Sequence, residues 1–271
     1  MSVVGPALDE EAAKPGGLGL GLARWLPAAT LLLIVVVAWE AAIRVFSVSA
    51  YIVPAPSAIA VALVRDAPSL FWATLVTAQE ILFGFVVSCV AGVALALAIA
   101  RFDWLGRALY PLVVLFQSVP KVALAPIFIL WFGYGLAPKI GLILVIAFFP
   151  VTLNMLAGME SVDPSLLALV RSVGTGSTDI LFKIRAPHSL PYLMAGLKVA
   201  ATLSVIGAIV GEFAGASDGL GYVIQFASTQ LDTPLVFAAL LLVSILGVGF
   251  YYAAEALERA VVPWAPKFNN P

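Results

Sequence analysis

The chain has 271 residues, 62% of them hydrophobic and 11% charged, with a net charge of −1 and a mean hydropathy of +1.09. Soluble domains run nearer half apolar and a quarter charged, so a chain of this length cannot hide the excess inside itself and needs the bilayer as solvent. The charge balance excludes a basic surplus for nucleic acid, and the lone cysteine, Cys89, excludes an intrachain disulfide.

The N-terminus opens on an acidic stretch, Asp9-Glu10-Glu11, followed by Pro15-Gly16-Gly17-Leu18-Gly19-Leu20-Gly21. This reads as a flexible cytoplasmic tail over 1–24 rather than a secretory signal. The glycines follow no strand, and the chain contains no Gly-Lys-Ser/Thr, so any nucleotide would be bound by another subunit.

About 20 apolar residues carry a helix across a bilayer. The uncharged runs predict an all-α polytopic membrane protein with six spans inside a domain at 25–260: about 25–46, 72–100, 108–132, 138–158, 193–216 and 235–257. Residues 261–271 form a cytoplasmic tail. Glu40 and Arg44 stand at i,i+4, a spacing that suits an ion pair at the end of the first span. Ser57, after Pro54-Ala55-Pro56, suits the N-cap of a short interfacial helix running to Arg65. The third span is interrupted by Pro120, Lys121 and Pro126. With both termini in the cytoplasm, Lys14, Arg24, Arg101, Arg107, Arg171, Lys183, Arg185, Lys198, Arg259 and Lys267 lie inside, against Arg44, Arg65, Lys121 and Lys139 outside or within the membrane. That bias predicts N-in, C-in.

The longest polar interruption runs from Glu160 to Pro191. Asp163-Pro164 is a helix start, the acid as N-cap and proline at the first helical position. Leu166, Leu169, Val170 and Val173 then recur on one helical face beside Arg171. Gly174-Thr175-Gly176 breaks that helix. Ser177 suits the cap of a second, with Ile180, Leu181 and Ile184 on its apolar side, and Pro187 and Pro191 suit its stop. Two short helices hinged at glycine thus present an apolar stripe. It reads either as a plug for a partner's groove or as a face folded back on the chain or the headgroups.

This loop resembles the signature of binding-protein-dependent ABC permeases, written Glu-Ala-Ala, three residues, Gly, nine residues, Ile, one residue, Leu-Pro. From Gly174, nine residues lead to Ile184, and Pro187 takes the place of the motif's proline. Ala168-Leu169-Val170 replaces Glu-Ala-Ala, and Ala186 replaces the leucine. Val53-Pro54-Ala55-Pro56-Ser57, Ser118-Val119-Pro120-Lys121-Val122-Ala123-Leu124-Ala125-Pro126, Leu130-Trp131-Phe132-Gly133, Phe148-Phe149-Pro150, Val210-Gly211-Glu212-Phe213 and Gly219-Leu220-Gly221-Tyr222 resemble one branch of that family. That branch imports nitrate, sulfonates, taurine and some pyrimidine or aromatic compounds.

The resemblance implies the type I ABC importer permease fold in a bacterial inner membrane. It implies a second permease copy, two ATPase subunits that bind ATP and Mg, an external solute-binding protein, and no cofactor in this chain. Residues 163–187 would be the coupling element. The resemblance points to a small anion as substrate, with a heterocycle as rival. Ionisable and polar groups within spans mark a path or tie helices together; the candidates are Gln117, Ser118, Lys121, Asn154 and Glu212. Lys121 is placed to meet an anion, to pair with Glu212 or to snorkel outward, and Glu80 reads as lying near the outer end of the second span. His188 lacks a second ligand at metal spacing, and no nucleophile–base–acid set stands out, so chemistry on a substrate is not expected. An ion-coupled secondary transporter or channel is the competing class; inverted repeats and mid-membrane acid or histidine relays would mark it.

Overall fold

Uncharged runs rich in leucine, valine and alanine satisfy their backbone polar groups internally as helices, and every regular element among the described residues is helical. A computed structural model describes residues 18–102, 104–108, 115 and 119–264. The chain divides into two units, residues 1–57 and 58–271.

The first unit is dominated by α1 (Leu18–Val45). Arg44 Nη2 lies 2.5 Å from Glu40 Oε1, the expected pairing. Glu40 also accepts the Ser57 amide at 3.0 Å and its hydroxyl at 2.8 Å. Because α2 spans Pro56–Arg65, Ser57 sits inside the first turn rather than at the cap, and the acid serving that turn comes from α1.

In the second unit α3 (Ala67–Arg101) is followed by a 3-10 turn (Lys121–Leu124), α4 (Ala125–Phe132) and α5 (Leu136–Glu160). Then come α6 (Pro164–Ser172) and α7 (Ser177–Ile180), which continues through a π-helical turn (Leu181–Arg185) into α8 (Ala186–Gly215). The chain closes with α9 (Leu220–Thr229) and α10 (Thr233–Val261).

Helix α5 lies between α3 and α8, and α10 packs on α8 and α9. Small residues let the backbones approach, as expected where lipid removes the hydrophobic incentive for helices to associate. A Cβ added at Gly92 would fall 2.9 Å from the Phe148 carbonyl, and one at Gly196 would fall 2.7 Å from the Pro150 carbonyl. The hydroxyl of Thr152 reaches the Gly92 carbonyl of α3 at 3.1 Å, tying the two helices. Ile143, Ala147, Val151 and Ala200 are fully buried in the resulting seam, with the half-buried Cys89 packed against it. The outer faces keep large apolar groups exposed, among them Trp72, Phe83, Val90 and Ile245.

Among the described residues, five helices are long and apolar enough to cross a membrane: Leu26–Val45, Ala67–Arg101, Leu136–Glu160, Ser177–Gly215 and Thr233–Val261. They match the expected first, second, fourth, fifth and sixth spans. The third, 108–132, falls largely on residues outside those described. Its described part, Lys121–Phe132, is a 3-10 turn and a short helix, below the length of a crossing.

Candidate functional site

Asp163 starts α6 as expected. Its carboxylate accepts the Ser165 hydroxyl at 2.7 Å and the Ser165 amide at 2.8 Å. These bonds, the hydroxyl's foremost, hold the Asp163 carboxyl below the usual carboxylate range. Gly174 ends the helix at φ +83°. Its amide donates to the Arg171 carbonyl at 3.0 Å, and the Thr175 amide donates to the Val170 carbonyl at 3.3 Å. That double closure is the Schellman arrangement, which needs a left-handed residue where Gly174 stands.

The two helices do not share one apolar stripe. Leu166, Leu169 and Val173 are 43%, 63% and 74% exposed. Leu167, absent from the expected face, is buried instead, in a small cluster with Val162 and Ile180 against which Val170 and Ile184 pack. Leu181 joins the main core. Ile180, Leu181 and Ile184 therefore face inward and anchor α6, and the exposed apolar side chains are Leu166, Leu169 and Val173 of α6 together with Phe182 of the π turn. Arg171 and Gly176 are exposed. Gly176, not Ser177, occupies the cap position of α7. Lys183 pairs with Asp179 at 2.7 Å on the exposed side.

Pro187 and Pro191 do not stop this segment. Ser177–Gly215 runs as one stretch of helix. Where Pro187 would clash with the carbonyl four residues back, the backbone has already widened into the π turn, and the Ala186 amide bonds the Leu181 carbonyl.

Three of the expected path residues fall among the described ones. Gln117 and Ser118 lie outside the described residues. Lys121 opens the 3-10 turn with Nζ 5.6 Å from the centre of the Phe149 ring. Asn154 Nδ2 donates to the Pro150 carbonyl at 2.8 Å within its own helix.

Glu212 is 0% exposed. It accepts the Thr77 hydroxyl of α3 at 2.6 Å and the Gly221 amide of α9, and Thr77 Oγ1 accepts the Leu220 amide at 2.8 Å. The acid thus supplies an intramolecular acceptor to the first turn of α9. Gly219, at φ +111°, passes so close that a Cβ there would overlap the Glu212 carboxylate.

Beside this lock, Lys139 of α5 pairs with Glu80 of α3, both buried. Glu80 is therefore an interior partner of the first turn of α5. Sequence reasoning missed the pairing. Its available signal was two opposite charges, each isolated within an apolar helix.

The family model described as the inner membrane component of binding-protein-dependent transport systems matches residues 84–263. The chain is 36% identical over 236 residues to the formylaminopyrimidine transport permease protein ThiX of Halalkalibacterium halodurans, covering 87% of this chain and 94% of that protein. It is 30% identical over 237 residues to the putative aliphatic sulfonates transport permease protein SsuC of Escherichia coli K12, covering 87% and 90%. An inward-facing structure of the MetNI methionine ABC transporter aligns with a TM-score of 0.58 at 22% identity, covering 72% of this chain and 95% of that one. At that identity the likeness speaks for the fold.

Proposed function

This chain belongs to the family of binding-protein-dependent transport system inner membrane components, and from that premise we propose that residues 163–187 couple an ATPase to a solute path shared by two copies. As a member of the family it is a multi-pass inner-membrane permease of an ABC transporter, non-catalytic, with ATP hydrolysed in a separate ATPase subunit. Membership also implies a solute-binding protein as partner.

The observation that supports the coupling reading is α6 itself. It is capped at Asp163, closed by Gly174 and anchored through Leu167, and it still leaves Leu166, Leu169 and Val173 uncovered. A rigid, anchored helix with uncovered apolar side chains suits insertion into a partner's groove. On this reading α6 enters the ATPase, both termini lie in the cytoplasm, and two ATPase subunits drive a homodimer of permeases. ATP and Mg sit in the partner, and this chain holds no cofactor.

The solute is small. We place a nitrogen heterocycle ahead of an anion because the lysines on apolar helical segments among the described residues are already engaged: Lys139 by Glu80, Lys198 by Glu258 and Lys121 by the Phe149 ring. The higher identity to ThiX than to SsuC points the same way.

Leu169→Asp and Leu167→Asp test the coupling. The exposed position should lose ATPase co-purification and uptake while the protein inserts normally, whereas the buried one should lower stability. Uptake by the chain without any ATPase would defeat the proposal and favour an ion-coupled carrier. Thermal-shift screening of the solute-binding protein against pyrimidines, sulfonates and nitrate decides the substrate class.

A further inference from the structure

Where α5 begins and α8 ends, away from α6, two acids and a base are shut inside the protein. Glu80 of α3, Lys139 of α5 and Glu212 of α8 are 4%, 7% and 0% exposed. Glu80 Oε1 accepts from the Lys139 ammonium, and Glu212 accepts from the Thr77 hydroxyl and the Gly221 amide. The second oxygen of Glu80, Oε2, is cut off from solvent and has no donor among the described residues. The Glu80 and Glu212 carboxyls stand within hydrogen-bond reach of each other.

Two carboxylates cannot hydrogen-bond to one another, because an ionised carboxylate only accepts. Side by side in a dry interior they repel, and one ammonium answers one of them. The surrounding groups do not relieve this. Asp218, in the turn between α8 and α9, adds a further negative charge near Glu80. Helices α4 and α9 carry no charged residue, and Asp232 at the head of α10 is engaged by Arg65. The phenols of the adjoining segments are Tyr134, whose ring lies against Gly215, and Tyr222 of α9.

We propose that Glu80 and Glu212 share one bound proton, so that the pair carries a single negative charge, answered by Lys139. A proton between the carboxyls gives the pair the donor it lacks, removes the repulsion, and leaves both Glu212 oxygens able to accept from Thr77 and Gly221. It belongs to the pair rather than to either acid. A metal cation fits less well, since no cluster of three or more acid, histidine or cysteine side chains suited to one occurs among the described residues. Thr77 and Glu212 together hold the Leu220 and Gly221 amides, so the proton keys the first turn of α9 to α3 and α8. Its loss sets against each other the acids that hold that turn. The shared proton concerns the fold of this chain alone and stands apart from the coupling reading.

Infrared spectroscopy of the full chain in an ester-free detergent reads the proton directly. At neutral pH wild type should show the carbonyl stretch of a protonated carboxyl, shifted in heavy water. Glu80→Gln should remove one carboxyl's share of that band, because its amide donates to Glu212 without a proton. No band in wild type, or an undiminished band in Glu80→Gln, overturns the proposal. Amide exchange reads the consequence. Opening the first turn of α9 exposes the acids to water, where a glutamate gives up its proton above about pH 4.3. The bound proton therefore favours the closed turn fully below that value, and the advantage is lost as pH rises to the point at which the closed pair releases it. Across that window the Gly221 protection factor, corrected for intrinsic exchange, should fall about tenfold per pH unit in wild type and stay level in Glu80→Gln. Glu212→Gln keeps one acceptor oxygen for two donors, so it should lower Gly221 protection at every pH, whereas Glu80→Gln should not. A level wild-type profile, equal slopes in wild type and Glu80→Gln, or equal loss of protection in both glutamine variants overturns the proposal. So does a profile that follows sodium concentration instead of pH. If the variants fail to insert, the wild-type band and slope decide the matter.

Discussion

Replacing Gly174 by alanine isolates the hinge from every other property of the loop. At φ +83° a side chain is strained by its own backbone, yet a Cβ there would meet nothing within 4 Å. No clash adds to the penalty, which is the left-handed cost of about 1–2 kcal/mol. That corresponds to roughly a 5- to 30-fold loss of the closed hinge. Gly176, two residues on, has equal space but an ordinary extended backbone, φ −70° and ψ 153°. Gly176→Ala should therefore be nearly neutral. Gly174→Asn should fall between the two, because asparagine tolerates the left-handed region. Gly174→Pro should be worst, since it imposes φ near −65° and deletes the amide bonded to Arg171. The assay is capture of the co-expressed ATPase together with uptake, with amide exchange over 163–177 as the local readout. Equal behaviour of Gly174→Ala and Gly176→Ala in all three would refute the hinge argument.

Thr77→Val keeps the shape but leaves Glu212 Oε1 without its donor and the Leu220 amide without its acceptor. At about 1–3 kcal/mol for each orphaned group, it should lower the thermal midpoint clearly and raise exchange at the start of α9. Lys139→Met strands Glu80 and should cost about 3–5 kcal/mol, whereas Lys139→Met with Glu80→Gln should recover much of that; a double variant as unstable as the single would refute the pairing. For Asp163 the folded carboxyl titrates below its unfolded value. The capping contribution is therefore full above about pH 4 and is lost as pH falls through the lower folded value. The protection factor of the Ser165 amide, its exchange rate corrected for intrinsic pH dependence, should fall across that acid window and should stay constant there in Asp163→Ala.

The five long helices and the start of α6 were legible because their causes are local. Charge-free runs mark the spans, and Asp163-Pro164 and Gly174 carry their own cap chemistry. What was not legible depends on which residues meet across the fold. Leu167 rather than Leu166 turned inward because α6 packs on Ile180 and Ile184, an orientation that the 3.6-residue period leaves free. Pro187 read as a stop because proline rules assume an α-helical carbonyl four residues back, and the π turn moves it; Pro191 stands inside α8, beyond that turn. Thr77 and Glu212 lie 135 residues apart, Glu80 and Lys139 59 apart, and no local pattern connects them. The contacts of Asn154, Glu212 and Lys121 with Pro150, Thr77, Gly221 and the Phe149 ring were likewise not legible.

The unbroken helical stretch from Ser177 to Gly215 has a mechanical corollary. Thirty-nine residues at about 1.5 Å each make a rod of nearly 60 Å, roughly twice the oily thickness of a bilayer. One end stands next to Gly174 and Gly176, and the other carries Glu212, whose carboxylate grips the first turn of α9. On the coupling reading proposed above, with no slack segment between them, a tug at the near end would reach that grip as travel of one lever.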